Sequence, residues 1–567
     1  MYKGINASDG VGIGVARVAV EPDLSFTPHV PKDLAVEKER YTAAVAKFVK
    51  QTNAQIERMT ATMGAETAAI MQAHNDFAED EGIREMVLDS IESGMCAEQA
   101  VSDAYGTYYT MFSQMDDELF RERAADVADV KTGLLADLLG KEVINLSDLP
   151  ERSIVVVHEL TPSMTADMDR AHIVAIITET GGRTSHSAII ARALEIPAVL
   201  SVPDICTEVK TGDLLVVDGS KGVVIPDPSD ADIEHYRVKA KQLLEWKAKL
   251  QEYRGKKTVT ADGKKLLLVA NIGNPDGANT ALENDAEGIG LFRSEFLFMD
   301  AKAYPPEDEQ FAAYQKVALR MKDKPVIIRT LDVGGDKEIP YLGLVKEENP
   351  FMGYRAVRYC LANPGQFKIQ LTALLRASAF GDIKIMIPMI TNVDELRQAK
   401  ALVEECKADL DARGIAYNKD IEVGVMVETP AAAFIADDLA EEAAFFSIGT
   451  NDLTGYTMCA DRGNDKVAYL YETYQPAVLR ALKAIIEAGA RKGIMVGMCG
   501  EAAADPLLTP LFISWGLEEY SVSSPSILAT RRQIAHWTKA EADELAAKVM
   551  KLKTVTEVKS VLQAAVK

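Results

Sequence analysis

Residues 423–452 read VGVMVETPAAAFIADDLAEEAAFFSIGTND, and the reading of this stretch decides the fold of the C-terminal half. VGVMV and FFSI are short apolar runs of the kind that form buried strands, and the residues between them suit a helix. Each run ends in a polar cluster, ETP after the first and GTND after the second, so a carboxylate follows both: Glu428 and Asp452. Working outward, the same strand, loop, helix pattern recurs from Gly255 onward. Eight strand candidates emerge: LLLVANI from 266, GIGLFRSE from 288, VIIRTLD from 326, IKIMIPMI from 383, VGVMVETP from 423, FFSIGTND from 445, VGMCGE from 496 and EYSVSS from 519. Eight such units predict a (β/α)8 barrel over residues 255–567. Polar residues collect at the C-terminal ends of these strands: Asn271, Arg293, Glu295, Arg329, Asp332, Glu428, Asn451, Asp452, Cys499 and Glu501. Barrels of this kind carry their active sites at that end, so the clustering predicts a site there.

The N-terminal half has a different texture. Residues 1–30 read as short strands with glycine turns. Residues 31–146 are long, helical and poor in glycine, with apolar side chains at spacings of three and four (Val45, Phe48 and Val49; Ile83, Met86 and Val87), as in a helical bundle. Residues 147–228 return to β-rich runs such as SIVVVHEL, IVAIITE and DLLVVDG. The shared texture of 1–30 and 147–228 predicts one α/β domain with the bundle inserted into it. Residues 229–254 are charged, with Leu243, Leu244, Trp246 and Leu250 at helical spacing, and predict a linker helix.

The bulk composition narrows the function classes. Of the 567 residues, 48% are hydrophobic, enough for sizeable cores, and 62 basic against 85 acidic side chains give a net charge of −23. That balance argues against nucleic acid and against an anionic membrane as partners. An anionic substrate then needs local arginines working against the global field. The six cysteines are far apart and form no CxxC pair, which predicts free thiols and a cytoplasmic protein. The expectation is of no signal peptide and no membrane insertion, because the opening residues lack an apolar core and no run of about 18 apolar residues occurs.

The segment TGGRTSHSAIIARALEIPAV, residues 180–199, follows the strand IVAIITE. Gly181 and Gly182 permit a tight turn, and Thr184 or Ser185 can cap the helix that follows. His186 then falls in the first helical turn, where backbone N–H groups and the helix dipole favour an anion. A neutral imidazole nitrogen can attack phosphorus, and a phosphohistidine formed there has its charge partly met by the helix. Lower down, Glu428 and Asp452 end successive strands and can share one Mg²⁺, which prefers oxygen ligands and fills its shell with substrate and water. Arg293 (GLFRSE), Arg329 (VIIRTLD) and Arg462 (ADRGN) offer guanidinium forks to phosphate, and Lys337 and Arg355 (NPFMGYRAVR) fit the same anion cluster. Asn451 can offer its backbone N–H or its amide to the phosphate.

The string GGRTSHSAIIAR closely resembles the phosphohistidine signature shared by Enzyme I of the phosphoenolpyruvate-dependent sugar phosphotransferase system, pyruvate phosphate dikinase and phosphoenolpyruvate synthase. It departs slightly after the histidine, where Ser187-Ala188 stands in place of the commoner Thr-Ser. The order of segments sharpens the resemblance to Enzyme I: a helical insert of this kind is present, and the ATP-binding domain that dikinase and synthase carry upstream is not expected. The resemblance implies a swivelling phosphohistidine domain, with His186 taking the phosphoryl group of phosphoenolpyruvate and passing it to the carrier protein HPr as pyruvate is released. It implies that Thr165 (HELTPSMT) orients the active histidine and that Glu428 and Asp452 hold Mg²⁺ against phosphoenolpyruvate. It also implies that Cys499 (GMCGE) protonates C3 of the enolpyruvate. The bundle is implied to dock HPr beside the acidic patch Asp76, Glu79, Asp80, Glu81 and Glu85, with His74 reaching towards the active histidine, and the barrel to join a homodimer. Three other readings stay open: a nitrogen-regulatory relative, a dikinase-like relative with its ATP domain elsewhere, and a regulatory module that binds phosphoenolpyruvate without turnover.

Overall fold

The computed structural model describes residues 1–19, 24–63, 71–114, 118–141, 146, 149–160, 164, 168, 171–182, 186–299, 301, 303–334, 339–345, 347–461, 464 and 466–566. The chain divides into two compact units, Met1–Lys247 and Ala248–Lys567.

In the first unit the chain begins with β1 (Tyr2–Lys3), β2 (Ile5–Ser8) and β3 (Val11–Val18). Five helices follow: α1 (Leu34–Met63), α2 (Gln72–Ala78), α3 (Glu81–Glu92), α4 (Ala97–Ser113) and α5 (Glu118–Leu139). The chain then returns through β4 (Ser153–Val157), β5 (Ile173–Thr178), α6 (His186–Ala193), β6 (Ala198–Leu200), β7 (Leu214–Asp218) and β8 (Val223–Pro226). All eight strands lie in one mixed sheet ordered β1-β8-β7-β3-β4-β5-β6-β2, so residues on either side of the helices are neighbours. Val15 of β3, for instance, pairs with Ser153 of β4 in parallel. Period-two alternation divides the sheet's two faces. Val155, Val157 and Ile176 pack with Ala188 and Ile190 of α6 on one side, and Ile154, Val156 and Ile177 pack with Ile205 and Val209 on the other. Every residue of β4 is buried, as a strand covered on both faces requires.

The helices α1–α5 have their own core, built from Tyr41, Ala44, Ile83, Val87, Ile91, Val101, Tyr105, Val127, Val130 and Leu134. Ile83, Val87 and Ile91 recur every four residues and so face one way along α3. Met86, read from the sequence as part of that stripe, lies one position round and is exposed. Asp80 caps α3, its carboxylate accepting from the Ile83 amide at 2.8 Å, while Asp76, Glu79, Glu81 and Glu85 are exposed. The expectation that His74 reaches towards the active histidine is corrected. The His74 ring is fully buried between α2 and α5, with Nε2 3.4 Å from Asp126 and Nδ1 3.7 Å from Asp129. A helix-facing histidine that meets two carboxylates becomes part of the core's charge balance, and its pattern in the sequence does not distinguish the two roles.

Helix α7 (Asp230–Gln251) buries none of its residues. Lys239 ties its first half to the first unit by pairing with the buried Asp218 carboxylate of β7. Beyond its C-terminus the chain is anchored to the second unit by Arg531, which is 1% exposed. That guanidinium donates to the Tyr253 carbonyl at 3.1 Å, to Thr258 Oγ1 at 3.1 Å and to the Asp285 carbonyl at 2.8 Å, and it pairs with the Asp285 carboxylate.

The second unit is a closed parallel barrel of β9 (Leu267–Ile272), β10 (Ile289–Arg293), β11 (Val326–Arg329), β12 (Ile383–Ile387), β13 (Val423–Val427), β14 (Phe445–Ile448), β15 (Met495–Met498) and β16 (Glu519–Ser523), with β16 pairing back to β9. Each falls on one of the eight runs picked out in the sequence, because a parallel strand buried on both faces leaves a continuous apolar run. Leu291, Ile327, Met386, Met426, Phe445 and Cys499 fill the barrel interior, and a far larger apolar cluster packs the helices round it. Among the described residues no helix is long and apolar enough to cross a membrane.

His74 carries a pH signature. Burial pulls its pKa down, but the Asp126 and Asp129 carboxylates more than offset this and the net shift is upward from 6.5. A raised folded-state value means that the stabilisation is fully present below pH 6.5 and is lost as pH rises through the folded value. Amide exchange in α2 and α5 is therefore expected to be slowest below pH 6.5, after correction for intrinsic exchange, and to accelerate at higher pH. In His74→Gln this pH dependence should flatten.

Candidate active site at the barrel's strand ends

The candidate residues of the barrel converge because the closed sheet brings eight strand ends round one rim. Glu428 directly follows β13, and Asn451 and Asp452 lie in the first turn of the helix Thr450–Met458 that follows β14. Cys499 directly follows β15, and Arg293 and Arg329 are the last residues of β10 and β11, paired in register. Arg355 comes from the long segment after β11 and is 6% exposed.

Glu428 is the most buried of these charges, at 1% exposure. One oxygen accepts from the Met389 amide at 2.8 Å. On its other side stands Gly449, where a Cβ would come within 2.6 Å of Glu428 Oε2, so no larger residue fits without displacing the carboxylate. Burial, then the Asp452 and Asp332 carboxylates, push the Glu428 pKa well above the usual carboxylate range, and Arg329 and Arg355 offset only part of this. Arg329 pairs with the Glu295 carboxylate and with Asp332 at 2.8 Å. Arg355 grips both oxygens of Asp332, at 2.8 and 3.0 Å, and lies 3.5 Å from Asp452. Burial disfavours both guanidinium charges, but the surrounding carboxylates more than offset it and hold both arginines protonated. Arg329 and Arg355, expected from sequence as phosphate forks, are thus already engaged by acidic side chains, whereas the Arg293 side chain is exposed.

Beneath this charged layer lies Cys499, 4% exposed, with Sγ 3.7 Å from the Ile448 carbonyl. Burial is the main cause that pushes its thiol up to about 11, so it stays protonated at neutral pH. Asn271 supports the same strand end, donating to the Cys499 carbonyl at 3.1 Å and to the Ser521 carbonyl at 3.2 Å. Asn451 is tied to the next loop, its side-chain oxygen accepting from the Glu501 amide at 3.2 Å. The sequence reading did not assign a role to Tyr456, whose hydroxyl is 3.3 Å from an Arg355 nitrogen; its place one helical turn after Asp452 was the available signal. Lys337, Arg462 and Thr165 lie outside the described residues.

The donor set suits a hard divalent cation. Glu428 and Asp452 provide oxygen ligands, and a buried carboxylate whose pKa is raised by its acidic neighbours is relieved by a positive charge. Among the described residues no three His, Cys, Asp or Glu side chains are arranged to enclose a metal, so a cation here would complete its shell from substrate and water.

In the first unit, His186 opens the eight-residue helix α6, and only its backbone is described. Ser187, next to it, is buried and donates to the Leu160 carbonyl at 3.0 Å, which fixes the start of the helix against the loop after β4. Thr184 and Ser185, read as capping candidates, lie outside the described residues.

A barrel with paired carboxylates, buried guanidiniums and a protonated thiol at its strand ends defines a class, and comparison with known proteins identifies it. The PEP-binding domain of PEP-utilising enzymes matches residues 247–539, their N-terminal domain residues 3–123 and their mobile domain residues 149–222. A phosphoenolpyruvate-protein phosphotransferase of Bacillus sp. (strain S) is 46% identical over 98% of this chain and 96% of its own. One from Staphylococcus carnosus is 46% identical over 98% and 97%, and one from Bacillus subtilis 44% over 98% and 98%. The chain belongs to the family of phosphoenolpyruvate-protein phosphotransferases.

The contrast between two thiols tests the geometry without any substrate. Cys459 is exposed and Cys499 buried with a raised pKa. Brief treatment with iodoacetamide at pH 8 is expected to alkylate Cys459 well ahead of Cys499, read by peptide mass spectrometry. Equal rates would contradict the burial described here.

Proposed function

We propose that this enzyme takes the phosphoryl group of phosphoenolpyruvate onto His186 and passes it to the histidine of the carrier HPr, as the entry step of sugar phosphotransfer. The observation that carries the reading is the convergence of Glu428, Asp452, Arg329 and Arg355 above the protonated Cys499 thiol. Arg293, Arg329 and Arg355, with Lys337, Arg462 and Asn451, bind the phosphate and carboxylate of phosphoenolpyruvate. Glu428 and Asp452 hold Mg²⁺, which when bound supplies positive charge to the phosphate oxygens as negative charge builds on them.

In the chemical step a nitrogen of neutral His186 attacks phosphorus in line. The N–P bond forms, the bond between phosphorus and the enol oxygen breaks, and its electron pair leaves with enolpyruvate. Thr165 orients the imidazole. Cys499 gives its proton to C3 and pyruvate results. A thiol held protonated by burial suits that task, since a thiolate could not donate. The partial positive charge at the start of α6 favours the phosphohistidine. One histidine serving both phosphoenolpyruvate and HPr requires the domain of residues 1–30 and 147–228 to swivel about the linker at 229–254.

The domain at 31–146 receives HPr, steered by the exposed carboxylates of Asp76, Glu79, Glu81 and Glu85. A homodimer forms through the barrel unit, where Phe434, at the end of the short helix Pro430–Phe434 after β13, and Met352, in a helical turn after β11, expose apolar surface. The cytoplasm is the expected compartment, in keeping with six free cysteines.

With ³²P-labelled phosphoenolpyruvate and Mg²⁺, the wild type is expected to gain an acid-labile label that moves on to added HPr, and His186→Ala to gain none. Label persisting on the variant would remove His186 from the mechanism. Cys499→Ala is expected to lower kcat for pyruvate formation by about 10²–10⁴-fold, the usual contribution of a positioned general acid.

A further inference from the structure

The C-terminal helix Val555–Ala564 has no part in the chemistry above, yet it reaches a segment on which that chemistry depends. Thr554 and Glu557 form a capping box at its start. Val558 and Leu562 are buried in the barrel unit's core, which fixes the direction in which Lys559 projects. Lys559 Nζ lies 2.5 Å from the Glu472 carboxylate and 5.1 Å from the centre of the Tyr474 ring. Tyr474 in turn donates its hydroxyl to Asp505 at 2.5 Å. Glu472 and Tyr474 belong to the segment between the helix that bears Asp452 and the next barrel helix, Pro476–Lys492. One residue before Glu472, Tyr471 donates its hydroxyl to the Asn451 carbonyl at 3.0 Å. That carbonyl belongs to the peptide that joins Asn451 to Asp452.

A single, partly exposed ion pair contributes little. Here the ion pair, the ring contact and two hydrogen bonds fall within residues 471–474, so a shift of that short segment disturbs all of them together. The Tyr471 hydrogen bond is made to the peptide that precedes Asp452, the backbone from which that carboxylate projects. Metal and phosphate sites need their ligands held to a fraction of an ångström, and a supporting hydrogen bond on the ligand's own backbone supplies such control.

We propose that Tyr471 is a positioning residue for Asn451 and Asp452, and that the helix Val555–Ala564 is the strut that holds Tyr471 in place through Lys559. The inference rests on the reading of Asp452 as a metal-holding carboxylate. The sequence gives no hint of it, because Lys559 and Asp452 are over a hundred positions apart and Tyr471 lies in no motif.

The test uses the full-length protein and Mn²⁺, with and without excess phosphoenolpyruvate, and free Mn²⁺ is counted by electron paramagnetic resonance. Tyr471→Phe is expected to weaken Mn²⁺ binding roughly five-fold, the scale of one lost hydrogen bond. Lys559→Glu and Glu472→Lys should each weaken it to a smaller degree, and the double swap Lys559→Glu/Glu472→Lys should restore it. With saturating Mg²⁺ and phosphoenolpyruvate, kcat of Tyr471→Phe should stay close to wild type while the Mg²⁺ activation constant rises. The proposal is overturned if Tyr471→Phe binds Mn²⁺ as the wild type does, or if the double swap is as weak as the single variants. A wild type that binds no Mn²⁺ even with phosphoenolpyruvate present would remove Asp452 as a ligand, and this proposal with it.

Discussion

Four carboxylates, Glu295, Asp332, Glu428 and Asp452, share the strand-end layer with the guanidiniums of Arg329 and Arg355, and the rest of the site depends on how those charges are balanced. Two opposite unit charges about 4 Å apart attract by about 4 kcal/mol at an effective dielectric near 20. Each arginine is set between two acidic partners, Arg329 between Glu295 and Asp332, Arg355 between Asp332 and Asp452. Asp332 is common to both and fixes one guanidinium relative to the other. The geometry is therefore set before any substrate arrives, which is the condition for electrostatic stabilisation of a transition state. The cost of the crowded carboxylates falls on Glu428, whose charged form is disfavoured by burial and by its acidic neighbours and would be favoured by a cation.

Barrel closure makes this layer possible. A parallel strand presents alternate residues to the interior, so the interior positions Met426 and Glu428 are successive steps of one strand's path, as are Ile327 and Arg329 of the next but one. The apolar member seals the barrel and the charged member forms the rim. Cys499 sits at the boundary between the two regimes, packed with Leu291, Ile327 and Met426 and yet within the field of Glu428 and Arg329. That position keeps its proton in place and puts it next to the charges that would bind a phosphate.

The two units make different use of the same chemistry. In the barrel, charges are buried and locked by partners. In the first unit, His186 stands at the start of a short helix, which offers an anion backbone N–H groups and a partial charge. A site that must release its phosphoryl group gains from weaker holding, and one that must break a phosphoenolpyruvate bond gains from stronger. Between them, α7 has no buried residue, while Lys239 at one end and Arg531 beyond the other secure it to each unit.

Much of this was legible from the amino-acid sequence. The eight apolar runs located the barrel strands because burial on both faces favours apolar residues along most of each strand. Glu428 and Cys499 stood out because a charge or thiol directly after such a run must lie at a strand end, and Asp452 because it falls in the polar GTND cluster just beyond one. The string around His186, taken with the order of the segments, pointed to the family. Other features were set by contacts that no local pattern encodes. His74 has the spacing of a helix-surface residue, and only the approach of α5 makes it a buried partner of Asp126 and Asp129. The arginines read as open forks are held by Glu295 and Asp332, since a charge entering the interior must bring its counter-charge with it. Tyr471 and Lys559 acquire meaning only when distant segments meet at the barrel rim. The sequence by itself determined which residues are the candidates for the chemistry, because strand periodicity and local motifs are properties of neighbouring residues; tertiary structure alone decided how their charges are paired and braced, because Coulombic and hydrogen-bond partners are chosen by distance in space.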